Sequence, residues 1–454
     1  MADDLAEGDA ATGEERTQLK RAIGPALLFF FILGDMLGGG IYALVGEVGA
    51  EVGGAIWTAF LAAFVLASLT AFAYVELASK YPRAAGAALY VNRAFRQPFF
   101  TFLVAFTVMC SGITSAGALA IAFAGDYFKE FIALPVVLVS LGFILVVAVI
   151  NAIGISESVK MNAVFTCIEV VGLLLIVVIG IAALGSGQAD FSRNFEFAGD
   201  GSPLLLVISG ASLAFYALIG FEDSVNVAEE VRRPARSYPI ALLGGLVTAA
   251  IIYTLVTMTA SAVVPTQQLA DSDGPLLEVV KQGPLAVPTT LFSAIALFAL
   301  FNGALINMIM ASRLVYGMAE EGIVPSVLGR VSPQRRTPLP AIVFTTLIAA
   351  ALVLTGNLDA LANTTVVLLL VVFTIVNVAV LVLRSDHVAH DHFVAPTFIP
   401  VLGAIVSAGM VTQHTGGIYL RAAILLAVGV VLWFVNRAVG GGSAAELNAE
   451  NLAD

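Results

Sequence analysis

Charged side chains are scarce in this sequence. Asp, Glu, Lys and Arg supply 12% of its 454 residues, against about 25% in an ordinary soluble domain, so most of the chain cannot present a water-solvated surface. Cysteine is scarcer. Cys110 and Cys167 both fall within apolar runs, which excludes a disulfide framework and reads as two small core residues. Basic residues are scattered between the apolar runs and the net charge is −11, so no nucleic-acid partner is expected. Three of the four histidines (His387, His390 and His392) share the stretch "HVAHDHF". It reads as a short polar loop, and neither a metal nor a cofactor is expected.

What is abundant is apolar: 59% hydrophobic residues and a mean hydropathy of +0.98. Runs of about 20 apolar residues, each sufficient to cross a bilayer, recur along the chain. They predict an all-α integral membrane protein of about twelve transmembrane helices, near 22–48, 53–79, 97–125, 132–151, 157–184, 202–229, 237–264, 284–319, 339–356, 360–383, 397–413 and 418–437. Residues 1–21 read as an acidic, disordered cytosolic tail and 438–454 as a polar C-terminal tail. Lys80, Arg83, Arg93, Arg96, Arg232, Arg233, Arg236, Arg313, Arg330 and Arg384 fall on alternate loops or span ends. Positive charge marks the cytoplasmic side, so both termini are expected inside and the location is the cell membrane.

Two spans carry residues a plain membrane helix avoids. The first contains "GDMLGGGIYALVG", with Asp35 beside Gly34, Gly38, Gly39 and Gly40. A mid-span carboxylate costs on the order of 3 kcal/mol on insertion scales, and a helical glycine about 1 kcal/mol relative to alanine. The sixth contains "FYALIGFEDSVNVAEEVRRP", with Gly220 next to Glu222 and Asp223. Glycines alone also serve close helix packing. Paired interruptions in the first members of two halves, however, point to a transporter site between inverted repeats. Half-helix amides would bind an anionic group and half-helix carbonyls a cation.

These motifs resemble the amino acid–polyamine–organocation superfamily of secondary transporters. "AYVELASKYPRAAGAALYVNRAF", "GISESVKMNAVFTCIEVVGLL" and "SRLVYGMAEEGIVPSVLGRVSPQRRTPLPA" are similar to its second-helix loop, fifth helix and eighth helix, in the family's order. The resemblance implies a LeuT-type five-plus-five inverted repeat with discontinuous helices one and six. Repeat one would run over about 22–184, repeat two over about 202–383, and two extra helices over about 397–437. Carried over residue by residue, Gly38, Gly39, Gly40 and Ile41 would frame a substrate carboxylate. Tyr216, Ala217, Gly220 and Phe221 would follow the sixth-helix break, where the family binds the amine and gates it with an aromatic. Glu222 stands where some exchangers of the family have a glutamate. Glu169 occupies the position of a lysine found in some proton-coupled relatives, and is read either as a proton carrier or as a structural carboxylate.

Asp35 has no family-wide counterpart. It pairs with a cationic substrate, joins Glu169 in a proton relay, or caps the unwound turn. Glu76, at the cytosolic end of span two, is expected to pair with Arg83 or Arg313 as a cytosolic gate, or to be a solvated interface charge. Asn302 and Asn307 face the site or act as interhelical glue. The mid-eighth helix lacks the hydroxyls of a sodium site. No matched intramembrane catalytic pair or repeated filter segment is present, so neither an enzyme nor a channel is expected. The expected function is amino acid transport, of neutral or cationic substrates, by proton-coupled symport. Amino acid or polyamine exchange and a transporter-like sensor without flux are the alternatives.

Overall fold

The structure is a computed structural model and describes residues 23–83, 86–153, 159–199, 201–320, 322–332, 335 and 337–438. The tail 1–21, the tail beyond Ala438 and Arg336 lie outside the described residues. The chain runs through α1 (Pro25–Leu37), α2 (Gly40–Val52), α3 (Ile56–Lys80), α4 (Gly86–Phe95), α5 (Pro98–Phe123) and α6 (Asp126–Lys129). Next come α7 (Val136–Ile153), α8 (Val159–Ser186), α9 (Pro203–Ala214), α10 (Pro234–Tyr238), α11 (Gly244–Val263) and α12 (Thr266–Ala270). The last six are α13 (Pro275–Gln282), α14 (Thr289–Glu320), α15 (Leu339–Thr355), α16 (Leu358–Leu383), α17 (Phe398–Val411) and α18 (Gly416–Ala438). Proline opens α1, α5, α9, α10 and α13. A missing N–H costs nothing in the first turn, and the fixed φ suits it.

Among the described residues, nine helical segments are long and apolar enough to cross a membrane, and the bent pair α1–α2 makes a tenth. α15 and α17 are equally apolar but shorter, at 17 and 14 residues. They occupy the sequence windows assigned above to the ninth and eleventh spans. α7, α8 and α18 expose stripes of large aliphatic side chains, Leu138, Leu145, Val171, Ile181, Leu420 and Val431 among them. In water so much exposed apolar surface would drive aggregation; in a bilayer it is the solvated face. α5 is the most buried of the spans and forms the central pillar, packed on α14 and α16. Cys110 on α5 is buried, but Cys167 on α8 is exposed, so only the first is a core residue.

The end of α3 is fastened to the end of α16 by a buried ion pair. Arg384 donates from Nε to Glu76 Oε1 at 2.9 Å and from Nη2 to Glu76 Oε2 at 2.8 Å. The Glu76 side chain is 1% exposed. The amide of Ala395 also donates to Glu76, and Lys80 donates to the carbonyls of Leu383 and Asp386. This corrects the expected partner of Glu76: Arg384 takes that place, while Arg313 lies exposed at the far end of α14. Sequence distance hid the pairing, because 308 residues separate the two groups.

Breaking a buried pair leaves an uncompensated charge and typically costs 3–5 kcal/mol. Glu76→Ala and Arg384→Ala are each expected to lower unfolding stability by about 3 kcal/mol or more. The double change Glu76→Leu with Arg384→Met should lose much less. Denaturant titration of the detergent-solubilised variants checks both statements.

Candidate functional site

Span one stops at Leu37. Gly39 takes φ +85°, and the chain restarts as α2 with its axis turned by 43°. Span six changes in parallel. α9 tightens into a 3-10 turn over Phe215–Leu218, Ile219 is extended, Gly220 takes φ +119°, and a second 3-10 segment covers Phe221–Glu230. Positive φ is strained for any side chain beyond glycine. Each break leaves backbone amides and carbonyls without helical partners.

The two breaks touch. A Cβ placed on Gly40 would lie 2.8 Å from the Cα of Ala217, and one on Gly220 would lie 3.0 Å from the Asp35 carbonyl carbon. Close packing and chain reversal are therefore met by the same glycines. Gly39 faces the other way, onto Leu119 of α5 and Leu300 of α14.

Between the breaks and the pillar helices runs a narrow cavity of about 40 Å³. That is room for a few waters, at roughly 10–15 Å³ each, so a larger guest requires the breaks to part from α5 and α14. Asp35, Gly38, Gly40, Tyr216, Gly220, Glu222 and Asp223 line it from the broken spans. Ser111 and Ser115 of α5, Asn307 and Leu314 of α14 and Thr365 of α16 line it opposite. Three carboxylates border the cavity and no Lys, Arg or His does, so the field inside favours a cation.

Polar contacts fix this lining. The Tyr216 hydroxyl lies 2.9 Å from Ser115 Oγ, and Thr365 Oγ1 lies 2.8 Å from Thr114 Oγ1. Asn307 donates to the carbonyl of Gly303. Glu222 Oε2 accepts the Gly220 amide at 2.8 Å, which caps the sixth-span break. Asp223 is half-buried at the cavity edge.

Other expected site residues are placed apart from the cavity. Ile41 and Phe221 are fully buried, and Phe221 packs between Tyr74, which meets it edge-on, and the tilted ring of Phe373. The aromatic at the cavity wall is Tyr216. Ala217 packs on Gly40 and turns its carbonyl to the hydroxyl of Tyr253. Glu169 is fully buried between α8 and α14, where Asn302 Nδ2 donates to its Oε1 at 3.2 Å. It is not among the residues lining the cavity. Ser312 receives the amide of Asn151 near the end of α14. Among the described residues, no three His, Cys, Asp or Glu side chains gather closely enough to hold a metal ion.

The sequence reading missed Ser115, Thr365 and Tyr253. Each is one hydroxyl among many on an apolar helix, with no local signal of the direction it faces. The reading also missed the cover over the first half of α2. There Tyr42, Tyr127 and Phe292 cluster with centroids 6.1–6.5 Å apart. Leu269 of α12 lies against Gly46, and Lys129 bridges Asp126 to Asp273 at 3.0 and 2.9 Å.

Comparison with known proteins agrees with this architecture. A profile described as amino acid permease matches residues 23–442. The branched-chain amino acid permease BcaP of Bacillus subtilis is 25% identical over 450 residues, covering 94% of this chain and 95% of the relative. The methylthioribose transporter of the same organism is 25% identical over 441 residues, covering 92% and 93%. The vacuolar cationic amino acid transporter 2 of Arabidopsis thaliana is 29% identical over 399 residues, covering 83% of this chain and 62% of that longer relative. With two broken spans meeting at a membrane-embedded cavity and a family match across nearly its whole length, this chain belongs to the amino acid permease family of the amino acid–polyamine–organocation superfamily.

Proposed function

We propose that this chain carries amino acids across the cell membrane by alternating access around the cavity at the two breaks. The observation that carries the reading is the apposition of those breaks. It brings the first turn of α2, rich in orphan amides, against Ala217 and the last turn of α1, rich in orphan carbonyls, against Gly220. An α-carboxylate suits the first and an α-ammonium the second. Gly38, Gly40, Tyr216 and Gly220 are the contacts assigned to the backbone of the substrate. In this reading α1–α2 counts as one span and α15 and α17 as short ones. The bundle then has twelve spans, a LeuT-type five-plus-five core and both termini in the cytoplasm.

The closed aromatic cover over α2 stands on the outer side. The cavity lining runs along α5 and α14 to Leu314, next to Arg313, so the contracted state opens next toward the cytoplasm.

Asp35, Glu222 and Asp223 favour a substrate with a cationic side chain, and cationic amino acids are named for the Arabidopsis relative. Branched-chain amino acids are named for another relative, and protonated carboxylates would admit a neutral side chain equally. Glu169 and Asp35 are the proton carriers of this scheme. Glu169 bridges α8 and α14 through Asn302, where gain or loss of a proton changes how tightly the two helices hold. Obligatory exchange is the second reading, favoured by Glu222 standing in the cavity wall.

Purified protein in proteoliposomes, given labelled L-arginine and L-leucine, tests these assignments. Acid outside should drive accumulation, a sodium gradient should not, and Glu169→Gln should reduce proton-driven accumulation at least tenfold while sparing exchange. Accumulation indifferent to both gradients but stimulated by internal amino acid would replace symport with exchange. No flux of any amino acid would leave a sensor and sink the transport reading.

A second expectation separates the substrate classes. Asp223→Asn should raise KM for L-arginine about tenfold, equivalent to roughly 1.4 kcal/mol, and change that for L-leucine less than twofold. Equal effects on both would remove Asp223 from side-chain recognition.

A further inference from the structure

We infer that the joint where α4 leads into α5, beside the end of α18, binds an anionic phospholipid. Arg96 and Arg437 take its headgroup, and an aromatic shelf carries its acyl chain. The inference goes beyond amino acid transport and rests on that reading only for the leaflet, which on the proposed topology is the cytoplasmic one.

The shelf forms where α5 starts and α18 ends. Trp433 meets Phe99 edge-on with centroids 5.4 Å apart and lies 5.0 Å from Phe102, and Phe434 lies 6.4 Å from Phe99. Phe99 and Phe434 remain 39% and 59% exposed, so the shelf has an open face. On α18 that face continues the exposed stripe of Ile424, Val428 and Val431, spaced three or four residues apart. The stripe is the face of the helix that meets lipid, and tryptophan is enriched at the membrane boundary.

Two guanidinium groups flank the shelf. Arg96 precedes Phe99 by three residues, and Arg437 follows Phe434 by three, which on a helix is the same face. Both are exposed, and neither forms an ion pair among the described residues. Their own stretches of chain offer no acid. No Asp or Glu occurs between Glu76 and Asp126, or between Asp391 and Glu446, although the net charge is −11. Arg96 also takes φ +51°, with its amide donating to the Asn92 carbonyl at the end of α4. Glycine is the usual residue in that conformation at a helix end, so a guanidinium is held here against backbone strain.

Unpaired cations above a lipid-facing apolar shelf select a ligand that is anionic at one end and apolar at the other. A phospholipid of net negative headgroup is such a ligand, and basic side chains at a membrane surface attract it. The guanidinium fork suits its phosphate oxygens. A zwitterionic headgroup would bring its own cation against the arginines. A lipid held by both arginines ties the α4–α5 joint to α18, which already packs on the pillar α5 through Gly429 against Phe106.

Trp433 and Trp57 are the two tryptophans of the chain, so with Trp57→Phe the fluorescence of Trp433 reports on the shelf. The full chain is reconstituted in phosphatidylcholine vesicles with increasing fractions of phosphatidylglycerol carrying brominated acyl chains. Brominated phosphatidylcholine in place of the phosphatidylglycerol gives the reference. Quenching of Trp433 should give a relative binding constant that favours phosphatidylglycerol about 25-fold, about fivefold for each arginine. Arg96→Gln and Arg437→Gln should each reduce the preference about fivefold, and the double variant should abolish it. Arg330→Gln, which removes an exposed arginine beyond α14, should leave it unchanged.

Equal quenching by the two lipids overturns the inference and leaves the arginines to a soluble anion or an acidic peptide. A preference that survives in the double variant, or one erased by excess inorganic phosphate, also overturns it. Thermal unfolding in detergent, with Trp57 intact, is the second readout. Added phosphatidylglycerol should raise the midpoint of the wild type and not that of the double variant, and an equal rise in both overturns the site. Neither readout depends on flux, so a protein that moves no amino acid would sink the transport reading and leave this test standing.

Discussion

A backbone amide or carbonyl inside a bilayer has no water to turn to, and each one left without a partner costs several kcal/mol. Much of the centre of this protein follows from that constraint. Two spans are interrupted at membrane depth, and each interruption is answered locally. Gly220 gives its amide to Glu222, while Met36 and Ala217 share the phenol of Tyr253. Glycine at 39 and 220 permits the reversed φ, and glycine at 40 lets the second break lie against the first. The groups that remain orphaned are those a zwitterion can use. In the proposed function the break is therefore both a structural liability and the binding element.

The surrounding helices divide into those that hold the breaks and those that face them. α11 and α3 stand behind, through Tyr253 and Phe60. α5, α14 and α16 stand opposite and contribute Ser115, Asn307 and Thr365 to the cavity. α16 also connects the two groups. Thr365 meets Thr114 of α5, while Asn377 donates to Thr70 of α3 and Arg384 grips Glu76. It has no internal glycine or proline to bend at. Any relative motion of the two groups must tilt α16 or strain one of those contacts.

Much of this was legible in the sequence, and the reason is local. Apolar runs of helical length mark spans whatever their neighbours, and glycine clusters beside carboxylates mark interruptions because both are disfavoured in a plain membrane helix. Asp35, Gly38, Gly40, Tyr216, Gly220 and Glu222 were found that way, or by resemblance, and they line one cavity. Tertiary facing was not legible. Nothing near Glu76 distinguishes Arg384 from Arg83 or Arg313, Phe221 reads as readily toward the cavity as away from it, and Glu169 sits one helix behind the site. Such choices are made by packing across a hundred or more residues, and α-helical periodicity is blunt when every face is apolar.

The central claim is that substrate occupies the space between the two breaks. The most direct measurement is alkylation of Ser115→Cys in a background where Cys110 and Cys167 are replaced by alanine, with L-arginine or L-leucine present. A site at the breaks predicts protection that saturates, with half-protection at the transport KM. Alkylation that proceeds at an unchanged rate under saturating substrate, while uptake continues, would contradict it.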